Sequence, residues 1–470
     1  MVEKEVSRIL DDLTVAFRKN PDGVEVGFRE LCADWPWAKR SDAYTHLLHR
    51  YPAKMLAYIP AFFLSTQRYA GKGEPILDVF AGTATVLLES IIHPFYPRCA
   101  YGIEMNPLAR LIGKVKTTLV DPDNTLEAAK MVICEAENTS ECQIPNYDNL
   151  DYWFPYQVQD KLGRLAWSIN RTDIADNIRD FLLVCLSSIV RKCSYADPHI
   201  PVPVRLKVNE FAPNSPRVEF IKKHLEHVEK ADPPSIFLDI VYKNVLRMRK
   251  LAQVKAVADH RVEARIIGDD ARQIQYVPMG ARAKLYKEQA QEIPDECISL
   301  VITSPPYGSA QKYTRTTRLE MLWLGLADVK DLEELDKASI GTERVSHKEY
   351  NELVQTGYGE IDTTLEQVYQ KSHYRAGLVS SYFREMIKVL NEIKRVLISN
   401  GTLILVVGNN TATGIPIPNH KFLTLIAENI GFNKELLLRD PVRSRGMITK
   451  RHATAGMVTD DWVLVLRKGN

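Results

Sequence analysis

The 470-residue chain lacks a charge bias: Lys and Arg number 61 and Asp and Glu 59, a formal net charge of +2. A strongly basic nucleic-acid coat protein is thereby excluded, although a neutral average leaves room for a local basic cleft. Long apolar runs are also missing. The longest, Phe181–Val190, is interrupted by Ser187 and Ser188 and is too short to span a bilayer. The opening residues, MVEKEVSRILDDL, are charged and carry no apolar signal core, so export is not indicated and a cytoplasmic location is expected. Cysteine is scarce and unpatterned. Cys32, Cys99, Cys134, Cys142, Cys185, Cys193 and Cys297 make an odd count, form no CxxC, and none pairs with histidine at zinc spacing. Reduced thiols and no metal site are the expectation. No repeat of fixed period and no low-complexity segment is visible.

What is present describes an ordinary globular chain. Apolar residues make up 45% and charged residues 26%. At roughly 150 residues per domain, the length fits about three domains or one large domain with insertions. Residues 1–50 read as helical and then irregular, an N-terminal extension. From Glu74 the character changes: PILDVF is a short apolar run ending in an acid, AGTAT a small-residue turn, and VLLESII a helix. Strand, tight turn and helix open a nucleotide-binding α/β unit. CAYGIE repeats the pattern, ending at Glu104, and a helix from Pro107 to about Lys116 follows. Residues 121–260 are dominated by helical patterns and read as an insertion. Strands return at ARIIGDD and CISLVITS, and residues 313–375 read as a polar, loop-rich second insertion. The helix SYFREMIKVLNEIKRVL, the strand TLILVVG, the helix KFLTLIAENIGF and the strands at ELLLR and WVLVLRK resume the alternation. The last two strands fit an antiparallel pair at a sheet edge.

Two segments carry chemistry. The first is Asp78-Val79-Phe80-Ala81-Gly82-Thr83-Ala84-Thr85. Small residues after a strand let the backbone approach a ligand, and the following helix N-terminus presents free N–H groups. Glu104, 22 residues after Gly82, stands where an acid can accept hydrogen bonds from two ribose hydroxyls. No GxGxxG stands here, so a dinucleotide site is disfavoured. The second segment is Thr303-Ser304-Pro305-Pro306-Tyr307, after the apolar SLVIT. Two successive prolines forbid helix and remove two backbone donors, which leaves carbonyls held rigidly. Ser304 is a small hydrogen-bonding group and Tyr307 a flat face. The set suits a flipped base whose amino group needs acceptors and whose ring needs a platform. Read without a ligand, the first segment is an ordinary strand-turn-helix and the second a rigid strand end.

These residues resemble the S-adenosylmethionine-dependent DNA methyltransferases that act on exocyclic amino groups. Ser304–Tyr307 is most similar to the N4-cytosine branch. The family's D-x-F-x-G-x-G-T motif is matched by Asp78, Phe80, Gly82 and Thr85, with Ala84 in place of the second glycine. Ala81 and Thr83 fall inside it. Its second acidic motif is matched by Glu104, followed by Met105 and Asn106. A YPAKF-like segment is matched by Tyr51, Pro52, Ala53 and Lys54, and a G-D-A-R strand end by Asp269, Asp270 and Ala271 with Arg272. Of the two acids, Asp270 is the better match for the adenine-amino acceptor and Asp269 the alternative. The resemblance covers 51–120 and 261–470, the catalytic domain it implies. It implies an α/β, Rossmann-like, doubly wound and mostly parallel seven-stranded sheet with a terminal reversed hairpin, plus the helical insertion. It also implies S-adenosyl-L-methionine as cofactor and double-stranded DNA as partner, with a cognate restriction nuclease or defence-system subunits as further partners. A C5-cytosine enzyme would need a thiolate nucleophile, commonly after proline, and no cysteine here follows proline.

The implied activity is methyl transfer to cytosine N4. Adenine N6, guanine N2 in RNA, and a non-catalytic DNA-recognition subunit are the alternatives. Insertion 121–260 is the first choice for target recognition and 313–375 its rival. Lys312, Tyr313, Arg315 and Arg318, and Arg443, Arg445, Lys450 and Arg451 in the basic segment that begins at Arg439, are the candidate DNA contacts. His420 is expected to be a surface or capping residue, Cys297 structural, and Trp153–Phe154 core.

Overall fold

The computed structural model describes residues 2–35, 44–52, 54–208, 215–276, 291–306, 308, 313–346, 350–442 and 459–469. Twelve strands follow in chain order: β1 (Val24–Glu25), β2 (Ile76–Asp78), β3 (Ala100–Ile103), β4 (Ala264–Gly268), β5 (Gln275–Tyr276), β6 (Gln291–Glu292), β7 (Ile298–Thr303), β8 (Leu397–Gly408), β9 (Asn410–Ala412), β10 (Ile415–Ile417), β11 (Phe432–Pro441) and β12 (Asp460–Lys468). Eight of them form one sheet in the order β1-β11-β12-β8-β7-β2-β3-β4. The central strands read as unbroken apolar runs because helices cover both faces; every residue of β2 and of β7 is buried.

All pairings in this sheet are parallel except those of β12 with β8 and β11. The architecture is therefore the doubly wound α/β sheet with a reversed hairpin at its end. The chain winds from β2 through β3 to β4, then restarts at β7 on the other side of β2. The crevice beyond β2 and β7 is the topological switch point, where α/β sheets bind ligands. The eighth strand, β1, is an addition that the sequence does not announce. Two residues carry too little periodicity to be read, and what fixes them is the parallel ladder to Leu438 and Arg439 of β11.

The insertion is helical as expected. Its central helix, Asp176–Val190, is buried along almost its whole length. Lys114 reaches its Asp180 at 2.8 Å, and Asn244 from the helix Pro233–Leu251 donates to the Leu48 carbonyl at 3.0 Å. Insertion, N-terminal segment and catalytic sheet thus contribute to one continuous core. The second insertion is not loop-rich. Helices occupy Tyr313–Trp323, Val329–Ala338 and Gly359–Lys371. The reason is visible in Val329–Ala338, which buries no side chain and is set by a capping box between Asp328 and Asp331. Its apolar residues Leu332 and Leu335 pack against the core only in part, among many charged neighbours.

Candidate active site

The cofactor-type loop begins where β2 ends. Gly82 (φ 52°) and Ala84 (φ 59°) both lie in the left-handed region and turn the chain into the helix Thr85–Ile92. Glycine accepts this conformation freely, whereas alanine is strained in it. The Ala84 methyl is wholly buried in the core that includes the close approach of Gly113, not on the ligand side. Behind the loop the buried Lys116 ammonium donates to the Thr83 carbonyl at 2.9 Å, and burial drives its pKa well below the usual lysine range.

Glu104, just past β3, stitches two loops together. One of its oxygens accepts the Gly82 N–H at 2.8 Å and the other accepts the Asn106 N–H at 2.7 Å. Burial raises its pKa, while these N–H donors and the Arg110 guanidinium oppose the rise. Arg110 also donates to the carbonyls of Glu104 and Met105, at 3.2 and 2.7 Å. The Asn106 side chain caps the helix Pro107–Thr117 and donates to Thr317 at 3.1 Å. Past β4, both oxygens of Asp270 are engaged by Arg272, at 2.8 and 2.9 Å. Neighbouring Asp269 lies in the field of Arg110. Both acids line the cavity into which these loops open.

The second loop leaves β7, the strand beside β2. Pro305 is buried, and Ser304 and Pro306 are partly open. Beyond the corner, the Gly308 carbonyl accepts from Asn410 Nδ2 at 2.7 Å. A Cβ at Gly308 would lie 2.8 Å from the Tyr382 ring, so glycine is required there. Tyr307 lies outside the described residues.

The two loops open into one cavity. Tyr51, Phe80, Gly82, Glu104, Met105, Asn106, Asp269, Asp270 and Ala271 line it together with Ser304 and Pro306. Thr314, Leu335, Ser339 and Ile340 also line it, from the second insertion. Sequence reasoning missed these four: nothing local marks them, and only the tertiary placement of their helices brings them in. Asp78, Ala81, Thr83 and Thr85 stand behind the wall, all buried. Pro52 and Lys54 are not on it either, and Ala53 lies outside the described residues. The expectation for Lys54 is corrected: its ammonium is turned to the carbonyls of His46 and His49, at 3.0 and 2.8 Å, and burial lowers its pKa to about 8.

The candidate DNA contacts divide. Arg315 is exposed. Arg318 is half-buried with its guanidinium 5.1 Å from the centre of the Trp153 ring, which gives it a packing role. Tyr313 begins its helix, with its side chain outside the described residues. Lys312, Arg443, Arg445, Lys450 and Arg451 also lie outside them. Arg439, nearby, is paired with Glu25. The ends that flank residues 443–458, Val442 and Thr459, are joined by a backbone hydrogen bond of 2.9 Å. They sit at the carboxyl end of β11, the same end of the sheet as the cavity. His420 is neither on the surface nor on a loop. It lies buried in the first turn of the helix Asn419–Asn429, stacked 3.8 Å from Trp462 and bonded to Asn409, and burial lowers its pKa to about 4. Trp153 and Phe154 are buried, and burial raises the pKa of the half-buried Cys297 thiol. Among the described residues no group of three or more side chains is placed to hold a metal, and no helix is long and apolar enough to cross a membrane.

Comparison with known proteins adds relatives. The chain is 26% identical over 393 residues to the Type II methyltransferase M.MvaI of Kocuria varians, covering 80% of this chain and 79% of that protein. It is 24% identical over 395 residues to the Type II methyltransferase M.BsoBI of Geobacillus stearothermophilus, covering 77% and 73%. It is 30% identical to M.AvaI of Anabaena variabilis over 183 residues, 36% of this chain and 37% of that one. A solved structure from Thermus thermophilus, described as a putative DNA modification methylase, matches 38% of this chain and 49% of its own at 18% identity and a TM-score of 0.19. No family model matches the chain.

Proposed function

We propose that this homologue of the Type II methyltransferases transfers a methyl group from S-adenosylmethionine to the N4 amino group of a cytosine flipped out of DNA. The single observation that carries the reading is the shared cavity, lined by Gly82 and Glu104 and by Ser304 and Pro306. The donor set suits the cofactor. Glu104 is fixed by two backbone N–H groups and keeps lone pairs for a ribose diol, Asp270 or Asp269 is the acceptor for the adenine amino group, and the Phe80–Gly82 turn allows close backbone approach. When bound, S-adenosylmethionine supplies an electrophilic methyl group.

The protein's work is alignment and exclusion of water. The amino nitrogen of cytosine is a weak nucleophile because its lone pair is delocalised into the ring. The Ser304 hydroxyl and the Pro305 carbonyl accept its two N–H bonds, which favours a more tetrahedral nitrogen with its lone pair turned to the methyl group. Ser304 is too weak a base to act first, so the proton is released to solvent only after methyl transfer. The role of Tyr307, a stacking platform worth about 1–3 kcal/mol, rests on the sequence. Insertion 121–260 is the first choice for target recognition and 313–375, which also lends four residues to the cavity, its rival.

The test is direct. The protein is incubated with labelled methyl donor and duplex DNA, the DNA is hydrolysed, and the modified nucleoside is identified. N4-methylcytosine is expected. N6-methyladenine would move the target to adenine, N2-methylguanine in an RNA arm would change the substrate, and no incorporation would leave a binding subunit.

A further inference from the structure

Behind the cavity, one hydroxyl group joins the two loops that meet in it. Strands β2 and β7 are parallel neighbours, with Ile76 opposite Leu300 and Leu77 opposite Val301. The backbone ladder between them ends there. Further on, the two chains separate, one towards Phe80 and Gly82, the other towards Ser304 and Pro306. At this split Thr303 Oγ1 donates to Asp78 Oδ1 at 2.7 Å and accepts from the Phe80 N–H at 3.1 Å. The same Asp78 oxygen lies 3.0 Å from the Phe80 nitrogen, so that N–H is shared between the two side chains. Thr303 is 0% and Asp78 2% exposed, so water does not compete. Shielded from water, hydrogen bonds in such a site are stronger than at the surface. The far end of the proline corner is held separately, by Asn410 on the Gly308 carbonyl. The near end, one residue before Ser304, is held to the cofactor-type loop itself.

We propose that Thr303 is a positioning residue of the methyl transfer, fixing the distance between the Phe80–Gly82 loop and the Ser304–Pro306 corner. The proposal rests on the reading given above and deepens it. The hydroxyl touches neither donor nor acceptor. It sets how far the methyl group must travel, and a displacement of about 1 Å at such a site costs on the order of 100-fold in rate. Thr303→Val keeps the branched shape that suits a buried strand and deletes only the hydroxyl. Thr303→Ser keeps the hydroxyl.

The full-length protein and these two variants are compared by kcat, by KM for S-adenosylmethionine and DNA, by calorimetric binding of S-adenosylmethionine, and by hydrogen–deuterium exchange over 76–83 and 300–306. Thr303→Val is expected to lose about 10- to 100-fold in kcat while cofactor affinity changes less than about threefold. Thr303→Ser should return to within about threefold of the parent. Exchange should quicken in both segments for the valine variant and in neither for the serine variant. A valine variant with unchanged kcat, a parallel loss of kcat and cofactor affinity, or a serine variant as impaired as the valine would overturn the proposal. Should the parent protein itself transfer no methyl group to DNA, the reading above fails and exchange alone decides. Quickening in both segments then upholds the bridge, and unchanged exchange in either removes it.

Discussion

The two sides of the cavity are built on opposite plans. The side formed by the ends of β2, β3 and β4 is over-determined: Glu104 binds the backbone of two loops, Lys116 holds the Thr83 carbonyl, and Asn106 caps a helix. The side formed by Leu335, Ser339 and Ile340 comes from the helix Val329–Ala338 and the residues just after it, where Leu335 is partly and Ile340 fully packed into the core. It is held by few groups, among them Arg272 on the Ala338 carbonyl and the Ser339 hydroxyl 3.7 Å from the Met105 sulfur. The first side is preformed and rigid. The second rests on a helix none of whose side chains is fully buried, the pattern of an element less firmly fixed than the sheet.

Substitutions test this contrast in order of expected effect. Ser304→Ala, at the proline corner, should cut methyl transfer by on the order of 100-fold or more with cofactor binding unchanged, read by kcat and calorimetry. Equal rates would remove Ser304 from the chemistry. Glu104→Gln, on the rigid side, should weaken cofactor binding by roughly 10- to 100-fold, because a charged hydrogen bond is worth about 1.5–3 kcal/mol. Leu335→Ala, on the second side, should raise the cofactor dissociation rate several-fold while leaving kcat near the parent value. Stopped-flow displacement measures it, and an effect as large as that of Glu104→Gln would erase the distinction between the sides.

The rigid side also has a pH signature. Burial pushes the Asp78 pKa up to about 7 from an ordinary value near 3.8, with Glu104 adding to the rise and Thr303 and the Phe80 N–H opposing it. Between those values the folded state holds a proton that the unfolded chain has released. The stability contribution is thus complete below the unfolded value and is lost as the pH rises through about 7. Asp78→Asn removes this dependence, so its melting temperature relative to the parent should climb as the pH is raised from about 4 to 8. The smallest effect belongs to Ala84→Gly. Relief of left-handed strain should stabilise the fold by no more than about 1 kcal/mol, read as a slight rise in Tm. A clear loss would mean that the buried methyl group outweighs the strain.

The contrast also explains what the sequence makes legible. The rigid side is assembled from strand ends, and each of its residues is marked by a local pattern: an apolar run, an acid, a small-residue turn. Asp78–Thr85, Glu104 and Ser304–Pro306 can be found one segment at a time. The second side cannot, because Thr314, Leu335, Ser339 and Ile340 reach the cavity only through helix packing. Reading by segment errs for the same reason at Lys54, whose ammonium finds carbonyls eight and five residues earlier instead of the pocket. It errs again at His420, drawn onto Trp462. Each of these is a polar side chain whose partner is fixed by the fold.

The short strand β1 bears on how the molecule behaves in a crowded solution. Without it, the outer flank of β11 would present unpaired N–H and C=O groups along a ten-residue strand, a template on which another chain could stack. Val24 and Glu25 occupy that flank beside Leu438 and Arg439, the Val26 N–H bonds the Arg439 carbonyl at 2.9 Å, and the Glu25 carboxylate neutralises the Arg439 guanidinium. Two residues far from the reaction thus pair the flank of β11 near its carboxyl end.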